Sequence, residues 1–156
     1  MFKKLFGGRV KEIAIDLGTS YTRVYVKDKG ILINEPTVVA INNKTDQIIS
    51  VGQEAKNMLG KTPPHITVSR PLTHGIVSDY EVAEKLMKYF IDKVYEGSSG
   101  MMSRPRIVIS VPLEVTEVEM KAVEDAAYAA GAKEVALVQE PMVAAIGARM
   151  PIQDPI

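Results

Sequence analysis

Short apolar segments with strand periodicity fill the first quarter of the chain. Residues 13–17 and 21–26 form two such segments around a tight turn of small residues. A third apolar run covers residues 31–41, and Pro36 interrupts it. Because proline cannot donate a ladder hydrogen bond, we expect a break or an edge position there. Three strands are therefore predicted before the first long helix.

The pattern loosens between residues 42 and 70. A polar loop leads to a short apolar stretch at 48–51, a short helical segment near 53–59 and a turn at the paired prolines 63 and 64. We interpret this region as an insertion or a small subdomain.

Helical periodicity dominates the second half of the chain. Two capping boxes, Ser78 with Glu81 and Thr116 with Glu119, each predict a helix start. The apolar residues assigned to these helices are Val82, Leu86, Tyr89, Phe90 and Val94 in the first, and Val118, Ala122, Ala126 and Ala129 in the second. A glycine follows each helix, at positions 97 and 131.

Two continuous apolar runs, at residues 107–111 and 135–138, are typical of strands buried on both faces. Glu140-Pro141 follows the second run, and proline is favoured at the first helical position, so a third helix is predicted from Met142 to Ala148. The predicted order is three antiparallel strands, an insertion, and then α-β-α-β-α. This order is typical of a ribonuclease-H-like α/β fold with a mixed sheet.

The turn after the first strand has the residue types of a phosphate site. Gly18 allows close backbone approach to an anion, Thr19 and Ser20 add hydroxyl donors, and Asp16 supplies a hard oxygen for Mg²⁺, directly or through water. The same residues also suit an ordinary hairpin corner, and short glycine motifs often match by chance. In such sheets, ligands lie at the carboxyl ends of the strands. Asp16 and Glu140 are both expected at that edge, which favours a site over a corner.

Composition excludes several classes of function. The 156 residues carry 19 basic and 19 acidic side chains, so no net field favours nucleic acid. The chain has no cysteine, which fits a reducing compartment and leaves no thiolate site. The two histidines, His65 and His74, lack nearby carboxylates at metal spacing. No apolar run reaches the roughly 20 residues of a membrane span.

Residues 1–9 form a segment of their own. They combine Phe2, Leu5 and Phe6 with Lys3 and Lys4 in a spacing that suits a small amphipathic anchor on a membrane surface. A frayed terminus is the alternative reading. One copy would bind weakly, whereas many copies on a filament would bind through avidity.

Several motifs extend over nearly the whole chain in a characteristic order. They are Ile15-Asp-Leu-Gly-Thr19, Gly30 to Pro36, Val51-Gly52, Glu54 to Met58, Gly60 to Pro63, Arg70-Pro71 with Gly75, Val108 to Pro112, and Glu140 to Gly147. In this order they resemble the actin, chaperone-ATPase and sugar-kinase superfamily, and within it the bacterial actin family MreB. The resemblance implies binding of ATP with Mg²⁺ and paired filaments on the cytoplasmic side of the membrane. It also implies partners in the wall-synthesis machinery that maintains rod shape.

The resemblance also implies roles for individual residues. Asp16, Gly18, Thr19, Ser20 and Tyr21 match the first phosphate loop. Glu140 matches the acid that orients the attacking water, although a surface acid ahead of a helix would also favour the helix dipole. The family often has Ala-Asn at positions 20 and 21, so a phenol here replaces a side-chain amide. It frequently has a second glutamate where this chain has Gln139.

The resemblance covers only the first half of such a protein. It implies an actin-like domain over residues 10–156, with a larger subdomain at 10–32 and 71–156 and a smaller inserted one at 33–70. The second domain, its glycine-rich phosphate loop and the helix that completes the first domain are expected to be absent. Because one phosphate loop supplies only half of the groups that stabilise the phosphate charge, the chain alone is expected to bind ATP poorly and to hydrolyse it negligibly.

Three other readings share parts of this pattern. A ribonuclease-H-like nuclease needs acids that hold two metals, including one on the strand at 107–111, which has none. A sugar or acetate kinase begins with a similar strand and turn but needs a catalytic base and a sugar site. A filament module that has lost its ATPase activity is the non-enzymatic alternative.

Overall fold

The computed structural model describes residues 10–73, 76–96, 103–150 and 152. Ten strands and four helices occur within these residues. The strands are β1 (Glu12–Leu17), β2 (Tyr21–Val26), β3 (Gly30–Pro36), β4 (Val39–Asn42), β5 (Gln47–Val51), β6 (Ile66–Ser69), β7 (Leu72–Thr73), β8 (Ile76–Val77), β9 (Arg106–Val111) and β10 (Glu134–Gln139). The helices are α1 (Gln53–Asn57), α2 (Tyr80–Tyr95), α3 (Glu117–Ala129) and α4 (Glu140–Gly147).

The main sheet has the strand order β10-β9-β1-β2-β3. Strands β1, β2 and β3 are antiparallel neighbours, whereas β9 and β10 run parallel to β1. Helix α2 lies on the connection from the hairpins to β9, and α3 connects β9 to β10. The mixed sheet and the element order predicted from the sequence are thus confirmed.

One face of the main sheet packs against α2 and α3. Alternate residues of the strands point into this core because side chains of a strand alternate between its two faces. The buried strand residues include Ile13, Ile15, Leu17, Val24, Val26, Ile107 and Ile109, and the helices add Leu86, Met87, Phe90, Val123 and Ala126. The intervening positions, Asp16 among them, lie on the opposite face of the sheet.

The chain changes sheets just after Pro36, where the sequence predicts a break. Strand β3 pairs with β2 as far as Pro36, and β4 then joins β5 and β6 in a separate three-stranded sheet. The expected subdomain boundary at residue 33 falls inside β3, so the change of sheet comes later than that boundary. Gly52 is the N-cap of α1 at φ +73°, and a Cβ there would clash with the carboxylate of Glu35.

The predicted start of α2 is wrong by one residue. The N-cap is Asp79, whose carboxylate accepts from the backbone N–H of Val82. Ser78 is not part of a capping box, because its hydroxyl donates to the carbonyl of Pro71 at 3.1 Å. The predicted glycine stop at residue 97 lies outside the described residues. The second capping box, Thr116 with Glu119, is confirmed at α3.

The apolar residues assigned to α3 do not all face the core. Val118 is 80% exposed and Ala129 is exposed, because the inward stripe runs through Val123, Ala126 and Ala127. The prediction that β9 and β10 are buried on both faces is also wrong, because Val108 and Ala136 are exposed on the face opposite α2 and α3. Helix α4 spans Glu140–Gly147 rather than the predicted Met142 to Ala148, and it buries none of its residues.

The amphipathic segment predicted at residues 1–9 lies outside the described residues. Within the part of the chain that the structure describes, no helix has the length and apolar character needed to cross a membrane.

Candidate phosphate site

A shallow depression lies at the carboxyl edge of the main sheet. Its volume is about 430 Å³, and its walls are Asp16, Gly18, Thr19, Ser20, Tyr21, Arg23, Pro112 and Glu140. The six candidate residues from the sequence are therefore brought together in one concave surface. Asp16 reaches it from β1, residues 18–21 from the turn and the start of β2, and Glu140 from the first turn of α4.

Gly18 is required by space in the turn. A Cβ at this position would lie 2.8 Å from the carbonyl oxygen of Tyr21, closer than real Cβ atoms approach backbone. Any side chain would therefore force the turn open. The tight turn leaves the backbone of residues 18–21 beside the depression, where successive N–H groups can face an anion.

A chain of buried hydroxyl groups supports the turn from beneath. Thr37 Oγ1 donates to the carbonyl of Gly18 at 2.6 Å, and the Thr37 N–H donates to the carbonyl of Ser20 at 3.0 Å. Thr22 Oγ1 lies 2.9 Å from Thr37 Oγ1. Because the single hydroxyl proton of Thr37 is directed to Gly18, Thr22 is the donor in that contact. Both threonine residues are fully buried.

Asp16 is held through both of its carboxylate oxygens. Arg23 lies directly opposite it in the β1–β2 register, and Arg23 Nη1 donates to Asp16 Oδ2 at 3.1 Å. Ser110 faces it from the parallel strand β9, and Ser110 Oγ donates to Asp16 Oδ1 at 3.2 Å. The carboxylate remains half exposed toward the depression.

The donor set suits a magnesium ion that is shared with phosphate. Mg²⁺ prefers oxygen ligands, keeps several waters and is commonly bound by one or two carboxylates together with substrate phosphates. Asp16 and Glu140 supply carboxylates on the walls of the depression. Across residues 10–73, 76–96, 103–150 and 152, no three His, Cys, Asp or Glu residues are grouped to hold a metal by themselves. The protein atoms therefore fit Mg²⁺ carried with a nucleotide, and not a closed protein cage.

The position of Glu140 is compatible with both interpretations that the sequence left open. It is the first residue of α4, where its negative charge is favourable beside the helix N-terminus. It is also partly buried and lines the depression that contains Asp16. Ser110 occupies the place where a two-metal nuclease would need a further acid, which argues against that class.

Sequence reasoning missed five residues that line the site or support it. These are Arg23, Ser110, Thr22, Thr37 and Pro112. The sequence pattern could have indicated two of them. Ser110 is the polar interruption of an apolar strand, and the alternation of side chains along a strand puts Arg23 on the same face as Tyr21. No local pattern indicates the pair Thr22 and Thr37, because their contact joins β2 to the residue that follows β3.

Comparison with solved structures defines the class of protein. MreB5 of Spiroplasma citri, bound to ADP, superposes with a TM-score of 0.81 at 35% identity, over 94% of this chain and 43% of that one. The double helical filament of MamK gives a TM-score of 0.74 at 21% identity, over 89% and 43% of the two chains. The fold is therefore that of the actin-like proteins.

Sequence comparison then gives the family. The profile of the family described as MreB/Mbl protein matches residues 10–156. The cell shape-determining protein Mbl of Bacillus cereus is 47% identical over 145 residues, covering 93% of this chain and 43% of its own length. MreB of Haemophilus influenzae is 45% identical over 156 residues, covering 97% and 44%. The chain belongs to the MreB/Mbl family and spans less than half the length of these relatives.

Proposed function

We propose that this chain is the phosphate-binding half of an MreB-type actin that binds Mg-ATP. The convergence of Asp16, the turn at 18–21 and Glu140 at one sheet edge is the observation that carries this proposal. Support also comes from the relatives, since MreB5 of Spiroplasma citri was crystallised with ADP and with AMPPNP.

Each group of residues in the depression has its own role in binding the nucleotide. The backbone N–H groups and hydroxyls of residues 18–21 hold the phosphate oxygens, and Asp16 orients the metal, which would neutralise phosphate charge when bound. Glu140 orients the water for hydrolysis. Tyr21 adds a ring beside the phosphates where the family often has an amide.

The wider function follows from the family in the same way. MamK forms a double helical filament, which supports filament formation by copies of this chain. We further propose that residues 1–9 attach the filament to the cytoplasmic face of the membrane through Phe2, Leu5 and Phe6, with avidity from many copies. Such filaments would organise wall synthesis and maintain rod shape.

The 156-residue chain by itself should bind nucleotide weakly. The described residues contribute one phosphate turn, and the opposite side of the depression is open. Preorganised donors stabilise charge best in a site that excludes water, and an open half-site does not. We therefore expect binding weaker than micromolar and negligible hydrolysis.

An NMR titration with Mg-ATP tests the proposal at this low affinity. Backbone amide resonances of residues 18–21 should shift first and saturate together. Asp16→Asn should reduce the Mg²⁺-dependent part of the shift, whereas Glu134→Gln, at the opposite edge of the sheet, should not. Shifts that avoid residues 18–21 at millimolar nucleotide would overturn the site, and micromolar affinity would overturn the half-site argument.

A further inference from the structure

Arg23 lines the phosphate site, and the sequence motifs give it no role. It extends from β2 on the same sheet face as Asp16, with 50% of its side chain exposed. Among the described residues that line the depression, it is the one cation. It is therefore placed to act on any anion that enters.

The charges of the depression make that cation important. Asp16 and Glu140 are both negative, and a polyphosphate would add further negative charge beside them. In the structure both oxygens of Asp16 are engaged, one by Ser110 and the other by Arg23. A metal ion that approaches Asp16 must therefore compete with the guanidinium group.

We propose that Arg23 is a positioning residue that exchanges between two anions. Without metal it is the counter-ion of Asp16 and keeps that carboxylate aligned across β1 and β2. When Asp16 turns to a magnesium ion, Arg23 transfers to the phosphate oxygens of the nucleotide. This inference rests on the proposed nucleotide site and assigns that site its own cation.

The exchange is physically easy in both directions. Ion pairs between half-exposed side chains are weak, so Arg23 leaves Asp16 at little cost. The planar guanidinium donates two parallel hydrogen bonds to phosphate as readily as to carboxylate. Both partners lie along the same depression, so the side chain can move while the backbone of β2 stays in place.

Metal binding without nucleotide tests the first half of the proposal. Mn²⁺ is a paramagnetic stand-in for Mg²⁺ and broadens nearby amide resonances, so its affinity can be read at Gly18 and Thr19. Arg23→Gln should raise this affinity about two- to fivefold, the range expected for loss of an exposed competing ion pair. Arg23→Lys keeps the charge and should stay near the wild-type value.

Arg106→Gln is the matched control for this measurement. Arg106 pairs with Glu134 through Nε and Oε2 at 2.9 Å, is 49% exposed and lies at the other edge of the same sheet. Its removal should leave Mn²⁺ broadening at residues 18 and 19 unchanged. Equal Mn²⁺ affinity in Arg23→Gln and wild type, or broadening that survives Asp16→Asn, would overturn the counter-ion role. The amide spectrum reports at the same time that each variant is folded.

Binding of ADP with EDTA and then with Mg²⁺ tests the second half. With Mg²⁺, Arg23→Gln should weaken binding of ADP roughly tenfold, because the charge-assisted bond from Arg23 to phosphate is lost. Without metal the loss should be smaller, because Arg23 then stays with Asp16 and contributes little to nucleotide binding. Equal weakening in both conditions, or none, overturns the exchange while the nucleotide site stands. If the amide resonances of residues 18–21 in wild type do not shift with ADP in EDTA or with ADP and Mg²⁺, the proposed nucleotide site and the transfer of Arg23 to phosphate are both overturned. The Mn²⁺ measurement then still decides whether Arg23 is the counter-ion of Asp16.

Discussion

The buried hydroxyl of Thr37 links the phosphate turn to the point where the chain changes sheets. It donates to the carbonyl of Gly18 and in turn accepts from Thr22. The Thr37 N–H also holds the carbonyl of Ser20. Two of the turn's carbonyl groups are thus fixed by one residue, so the turn should be stiff before any ligand arrives.

Replacing Thr37 with valine should therefore destabilise the chain more than the same change at Thr22. Thr37→Val leaves the Gly18 carbonyl and the Thr22 hydroxyl without a partner, and each buried unsatisfied group costs about 1–3 kcal/mol. Thr22→Val removes one neutral bond, worth about 1 kcal/mol, and leaves Thr37 bound to Gly18. Urea unfolding of the two variants measures the difference. Equal losses would contradict the order of donors assigned here.

Apart from Glu140, which the predicted strand order placed at the same sheet edge, the site residues that the sequence could predict lie next to one another in the chain. Asp16, Gly18, Thr19 and Ser20 follow from one strand end and one turn. By contrast, Ser110 and Asp16 are 94 positions apart, and only the parallel pairing of β1 with β9 brings them together. Contacts of this kind depend on register, which no local pattern contains.

At the scale of elements, the start of α2 illustrates a choice between two capping residues. Ser78 and Asp79 are both favoured N-cap types, so local sequence does not decide between them. The tertiary contact of the Ser78 hydroxyl with the Pro71 carbonyl decides the outcome, because it directs that side chain away from the helix. Asp79 then accepts from Val82.

This assignment predicts unequal effects of two alanine substitutions. Asp79→Ala should lower the free energy of unfolding by about 1 kcal/mol, as loss of an N-cap does. Glu81→Ala, which would break the capping box expected from sequence, should cost only the few tenths of a kcal/mol of its favourable position beside the helix N-terminus. Thermal or urea unfolding distinguishes them. A larger loss of unfolding free energy for Glu81→Ala than for Asp79→Ala would show that Ser78 and Glu81 form the capping box after all.

At the scale of the whole molecule, the described residues cover the main sheet on one face only. Helices α2 and α3 pack on that face, whereas the other face carries Tyr25 on β2, Val108 on β9 and Ala136 on β10, all of them exposed. Helix α4 follows the edge strand β10 with an apolar surface of its own. The sequence predicted these elements, but it could not show which apolar faces stay uncovered, because that depends on what packs against them.

The uncovered surface should make the 156-residue chain self-associate. Met142, Val143 and Ile146 lie on α4, and Met150 and Ile152 follow it, all between 41% and 54% exposed. Contiguous apolar patches of this kind promote association, whereas isolated exposed apolar residues are harmless. Sedimentation velocity should therefore show a mean mass that rises with protein concentration, and added salt should not reverse the rise, because the attraction is apolar rather than ionic.

Charged substitutions within the patch should abolish this association. Val143→Glu with Ile146→Glu places two charges on α4, where neither residue is buried, so folding is preserved while the apolar contact is lost. Leu59→Glu is the control, since Leu59 is as exposed as Val143, 42% against 41%, but lies after α1 beside the smaller sheet. If the α4 variant associates like wild type while Leu59→Glu becomes monomeric, the contact lies on the smaller sheet. In that case the exposed apolar residues of α4 do not form the surface through which copies of the chain associate.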